Sequence, residues 1–132
     1  MRSRLIDVGL ALAYAGLIFF LSSQSTFPVP KGIWDFDKVI HFVEYGVLGF
    51  LVARAIRPKD PKSNRGVVLS VAAVIVSTLY GASDEFHQYF VPGRSSEGYD
   101  VLADAIGSVL GVAAFAFHRR QSARVIRSTE QP

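Results

Sequence analysis

The chain has 132 residues, a formal net charge of +3 and a mean hydropathy of +0.30, a size that limits it to one domain with no separate soluble module. It has no cysteine, which excludes disulfides, thiolate catalysis and thiolate metal sites. The pI near 9.4 does not imply nucleic acid binding, because most of the excess cations flank apolar segments as topology signals and contacts for anionic headgroups do.

The first apolar stretch runs from about Leu5 to Ser23 and is uninterrupted from Val8 to Leu21. It resembles a signal peptide in its short basic start and in the Ser22-Ser23-Gln24-Ser25 that follows. It lacks a clear small-x-small cleavage site, and Asp7 is unusual for an export signal, so a retained helix is expected. Pro28, Pro30 and Gly32 then end helical character, and Trp34 and Phe36 suit the membrane interface. A second span is expected over about Asp37 to Ile56, closed by Arg57-Pro58-Lys59-Asp60-Pro61-Lys62. A third begins near Gly66, is apolar to Leu79, turns amphipathic, and stops before Val91-Pro92-Gly93. The fourth covers about Tyr99 to Phe117 and ends at His118-Arg119-Arg120. Residues 1–120 thus form a transmembrane unit, and 121–132 a polar basic tail, disordered or lying on the inner surface.

Spans of about 18–21 residues cross roughly 30 Å of hydrocarbon at 1.5 Å per residue. The fold predicted is therefore all-α, a four-helix transmembrane bundle. Charge orients it. Asp35, Asp37, Glu44, Asp84, Glu85, Glu97, Asp100 and Asp104 share one side with only Lys31, Lys38 and Arg94. The other side carries Arg2, Arg4, Arg54, Arg57, Lys59, Lys62, Arg65, Arg119, Arg120, Arg124 and Arg127 against Asp7, Asp60 and Glu130. Lys and Arg retain their loops in the cytoplasm, which places both termini there and the acidic side outside.

Carboxylates within apolar helices are costly in a bilayer and usually functional. Asp37, His41, Glu44, Tyr45 and Leu48 share one face of the second span. Asp100, Asp104, Gly107 and Gly111 share one face of the fourth, where Gly107-x-x-x-Gly111 permits close helix approach. Ser77, Tyr80, Gly81, Asp84 and Gln88 form a third polar face, with Glu85 and His87 beside it. His41 and Glu44 lie about 6 and 10 Å below the outer end of their helix, and Asp104 about 6 Å below Asp100. Three polar faces at similar depth are expected to meet in a small cavity open to the outside. Above it, Pro92-Gly93 favours a tight turn, with Ser95 and Ser96 as turn residues. Arg94 is then free to pair with Asp84, Glu85 or Asp100, or to offer its fork to a phosphate or carboxylate.

These residues resemble the VanZ-like family of bacterial membrane proteins. The resemblance rests on Phe20-Leu21-Ser22-Ser23-Gln24-Ser25, on Asp37-Lys38-x-x-His41-Phe42-x-Glu44-Tyr45, and on Asp84-Glu85-x-His87-Gln88-x-Phe90-x-Pro92-Gly93-Arg94. It continues through Asp100-Val101-Leu102-Ala103-Asp104 to Gly107-x-x-x-Gly111 and spans nearly the whole chain apart from the tail and the inner loop. Many members carry Asn where this chain has Asp104. The resemblance implies a multi-span protein of the bacterial envelope, in the cytoplasmic membrane, and a link to low-level teicoplanin resistance; it implies no reaction. The positions matching the family pattern are Asp37, His41, Glu44, Tyr45, Asp84, Glu85, Gln88, Arg94, Asp100 and Asp104.

Several functions fit this pattern. As a binding site, the cavity with Arg94 recognises a lipid-linked cell-wall intermediate or a lipophilic glycopeptide. As an enzyme acting on lipid phosphates, it draws a general base from Glu44 or Asp104 with His41 as partner, Asp84 and Glu85 being further candidates. Proton-coupled transport and a purely structural role are the other readings; no duplicated half is visible. No cofactor is evident, but His41-x-x-Glu44 has the spacing of carboxylate-bridged metal sites, and Asp84, His87, Asp100 and Asp104 could complete the shell of a divalent metal. The structural alternative is a buried network with Glu44 neutralising His41 and Lys38 answering Asp37. The oligomeric state is not legible.

Overall fold

The computed structural model describes residues 2–25, 36–59, 63–94 and 96–129, with backbone only for 2, 36 and 124–129. The loop at Pro28 and Pro30, the Trp34 and Phe36 anchors, Asp60–Lys62 and Ser95 lie outside what it describes at side-chain level. Four helices follow in order: α1 (Arg2–Ser22), α2 (Phe36–Ile56), α3 (Arg65–Gln88) and α4 (Gly98–Thr129). The described residues contain no strand. All four helices are long and apolar enough to cross a membrane.

Burial is inverted relative to a soluble protein. Leu12, Phe20, Val67, Phe86 and Leu110 are exposed on the outside, whereas Asp7, His41, Asp84, Glu85, Gln88, Asp100 and Asp104 are buried. Apolar side chains gain nothing from leaving lipid, but an unpaired charge in lipid is unfavourable by several kcal/mol, so the polar faces turn inward. The chain is a multi-pass membrane protein.

The helices alternate in direction. α2 is central and packs on α1, α3 and α4, with its most extensive contact to α4; α1 touches α3 only lightly. The α2–α4 contact is close because both faces are glycine. A Cβ at Gly107 would meet the carbonyl of Phe42, and one at Gly111 the carbonyl of Gly46. On α2, a Cβ at Gly49 would lie 2.7 Å from the Ser108 carbonyl oxygen. Gly107-x-x-x-Gly111 therefore packs as expected, onto Gly46 and Gly49 as its counterpart. Towards the basic end this seam widens into Ala53, Ala73, Val112 and Phe115, with Phe50 and Phe115 edge to face at 5.5 Å. Ile18, Tyr45 and Leu48 fill the middle of the bundle.

One boundary differs from expectation. α4 does not stop at His118-Arg119-Arg120 but continues to Thr129, so most of the tail is helical. Leaving the apolar layer ends a span, not a helix, and residues 118–129 contain neither Gly nor Pro to break one.

At the basic end Asp7 is buried and accepts from Arg54 Nε at 2.8 Å and Arg57 Nη1 at 2.6 Å. Arg57 also donates to the Arg54 carbonyl, and Arg119 to the Pro58 carbonyl at 2.9 Å. These contacts tie α1, α2 and α4 together there.

Candidate functional site

The site is assembled where α2 and α4, brought together by their glycines, meet the last turns of α1 and α3. His41 is buried on α2, with Nδ1 3.0 Å from Asp104 Oδ1 on α4 and Nε2 3.6 Å from Glu85 Oε1 on α3. The second distance exceeds hydrogen-bond length, and Glu85 Oε1 has no hydrogen-bond partner among the described residues. A protonated imidazole here faces a carboxylate from each ring nitrogen. Asp104 fits between α3 and α4 because position 81 is glycine; a Cβ there would lie 2.9 Å from Asp104 Cβ and overlap its carboxylate. Tyr45 lies one turn deeper, its ring stacked under that of His41 at 6.2 Å.

A second chain of contacts runs from α1 to the loop after α3. Ser22 Oγ donates to Asp84 Oδ1 at 2.6 Å, and Gln88 Nε2 donates to Asp84 Oδ2 at 3.0 Å. Arg94 Nε and Nη2 both donate to Gln88 Oε1, at 3.3 and 3.1 Å. The turn carrying Arg94 is closed by its N–H to the Val91 carbonyl at 3.1 Å, with Pro92 second and Gly93 third at φ 83°, the type II pattern expected for Pro-Gly. The Glu97 N–H donates to Glu85 Oε2 at 3.0 Å, which fixes the start of α4 against α3. Lys38 Nζ lies 3.0 Å from Glu97 Oε2 and 3.5 Å from Asp100 Oδ1.

Between the two chains is a cavity of about 20 Å³, bordered by Ser22, Asp37, His41, Glu44, Asp84, Gln88 and Arg94. That volume holds about one water. A pocket is thus present at this end of the bundle, nearly filled.

Several pairings differ from those predicted. His41 is answered by Asp104 and Glu85 rather than by Glu44, and Lys38 by Glu97 and Asp100 rather than by Asp37. Arg94 is held by Gln88, not by Asp84, Glu85 or Asp100. The spacing within α2 permits a His41–Glu44 pair, but the close approach of α2 to α4 brings Asp104 within 3.0 Å of His41. His87 does not join His41 and Glu44: Nε2 lies 3.0 Å from Ser23 Oγ, and its ring packs on Phe19 at 4.6 Å. Among the described residues, Asp37, His41 and Asp100 have ligand atoms within 4.8 Å of one another, a set that could hold a metal.

Sequence reasoning expected three helices here; Ser22 and Ser23 make α1 a fourth contributor. Their signal was Ser22-Ser23 at the outer end of the first span, masked by its likeness to an export signal. Glu97 was counted only as a charge. The cluster brings Asp37, Glu44, Asp84, Glu85, Glu97, Asp100 and Asp104 together with Lys38, Arg94 and His41. Such an excess of acceptors suits hydrogen-bond donors, cations and protons.

No curated protein and no solved structure matches the chain. The profile of the VanZ/LLP1 family matches residues 10–119, which include every residue of this site. The chain belongs to the VanZ/LLP1 family.

Proposed function

We propose that this is a bacterial cell-envelope protein whose polar site faces outward and binds the head of a membrane-borne ligand, a lipid-linked cell-wall intermediate or a lipophilic glycopeptide, so contributing to teicoplanin-type resistance. In this reading the protein lies in the cytoplasmic membrane with both termini inside, since Arg4, Arg54, Arg57, Lys59 and Arg119 gather at the opposite end from the site. The observation that carries it is the convergence of Asp37, His41, Glu44, Asp84 and Arg94 on one cavity beneath a short turn. Sugar hydroxyls, amides and amines bring the donors that these carboxylates accept, while Arg94 is available to an anionic group. Because the cavity holds only about one water, ligand entry requires the 91–94 turn to lift and Arg94 to leave Gln88.

The test is titration of the purified protein in nanodiscs with teicoplanin and with a lipid-linked disaccharide-peptide, read by native mass spectrometry. Binding that weakens in Glu44→Gln and Arg94→Ala supports the reading; no binding of either ligand removes it.

A second reading rests on His41, flanked by Asp104 and Glu85, which is placed for general acid–base work on a lipid phosphate. Asp37, His41 and Asp100 offer a divalent cation a mixed N/O set in that case. Release of a new product from lipid pyrophosphates, lost in His41→Ala, would favour an enzyme. Elemental analysis of the purified protein decides the metal.

A further inference from the structure

The opposite, basic end carries a second concavity unrelated to the site above. It is about 680 Å³ in volume and is bordered by Arg4, Arg57, Lys59 and Arg119 from α1, the end of α2 and α4. Asp7 occupies Arg54 and part of Arg57, but Arg4, Lys59 and Arg119 have no carboxylate partner among the described residues. Arg57, Pro58 and Arg119 also border a second groove of about 670 Å³, which runs between α3 and α4 along Val67, Val71 and Val109. The two concavities therefore share a wall, the first cationic at the bundle end and the second largely apolar along its flank. The start of α3 opens onto the same groove, where Ser63 accepts from the Arg65 and Gly66 N–H groups. Topology signals alone need neither a concave arrangement nor an adjoining apolar channel.

We propose that this end binds a diacyl phospholipid with an anionic headgroup. Its phosphate sits against Arg119, Arg4 and Lys59, and one acyl chain lies in the α3–α4 groove. Each part of the lipid meets its complement: the anion meets guanidinium groups that carboxylates leave available, and the chain meets exposed valines. The site joins α1, α2 and α4 at the residues that already bridge them, so occupancy stabilises the bundle.

The experiment is titration of the detergent-purified full chain with phosphatidylglycerol, phosphatidylcholine and inorganic phosphate, followed by native mass spectrometry. Phosphatidylglycerol is expected to be retained in preference to phosphatidylcholine, and Arg119→Gln to weaken that retention about fivefold, the effect of one cation near a surface. Val71→Trp fills the groove without altering charge and is expected to weaken phosphatidylglycerol retention as well. Val71 is exposed, so this variant tests the proposal even if Arg119→Gln fails to fold. Equal retention of the two lipids overturns the proposal. So does full retention in Val71→Trp, which would mean surface charge alone, or phosphate competing as well as the lipid, which would mean a free-anion site.

Discussion

The glycine seam between α2 and α4 gives a direct test of the packing. In Gly107→Ala the new methyl would lie 3.0 Å from the Phe42 carbonyl carbon and 3.1 Å from the Gly46 nitrogen, and closer still to the Phe42 carbonyl oxygen. Ordinary contact at ~3.5 Å or more requires α2 and α4 to separate by about 1 Å. Backbone cannot rotate away as a side chain can, so the strain is an overpacking cost of about 1–3 kcal/mol. Every Gly→Ala change in a helix also gains about 1 kcal/mol of propensity, which would blur the result. Gly16→Ala supplies the correction, because nothing lies within 4 Å of its added methyl. The difference in unfolding free energy between the two variants isolates the packing term and should be about 1–3 kcal/mol. Reversible SDS unfolding of purified protein, followed by circular dichroism, measures it. Equal stability of Gly107→Ala and Gly16→Ala would refute the glycine seam, and with it the register that places His41 against Asp104.

Three further outcomes are expected. His41→Ala strands buried Asp104 and Glu85 and should cost about 3–5 kcal/mol, while His41→Ala with Asp104→Ala together should cost less than the sum of the single changes in the same unfolding assay. Asp7→Ala should cost about 1–2 kcal/mol, less than a fully buried pair, because water screens the partly exposed Arg54 and Arg57; high salt should narrow the gap to wild type. Gly93→Ala forces a side chain into a left-handed conformation 2.9 Å from the Ser25 carbonyl oxygen and should cost about 1–2 kcal/mol locally. Its readout is faster proteolysis after Arg94 with little change in global unfolding.

Much of this architecture was legible in the residue pattern because the bilayer imposes local rules. A run such as Val8–Leu21 must be helical to satisfy its own backbone in lipid, and Asp100, Asp104 and Gly107 at helical spacing must share a face. The same reasoning placed titratable faces at one depth and the Pro92-Gly93 turn above them. Periodicity nevertheless specifies a face, not the residue across from it. That His41 meets Asp104 rather than Glu44 depends on the rotation and height of α2 against α4, which the backbone contacts of Gly46, Gly49, Gly107 and Gly111 set. Ser22 joined Asp84 only once α1 had docked beside α3, and Arg94 found Gln88 through the turn that carries it. The cavity's small volume is likewise a property of four packed helices. Hydrophobicity and spacing act within one helix and are written in order along the chain. Partner choice is a distance between residues some 60 positions apart, and only tertiary packing decides it.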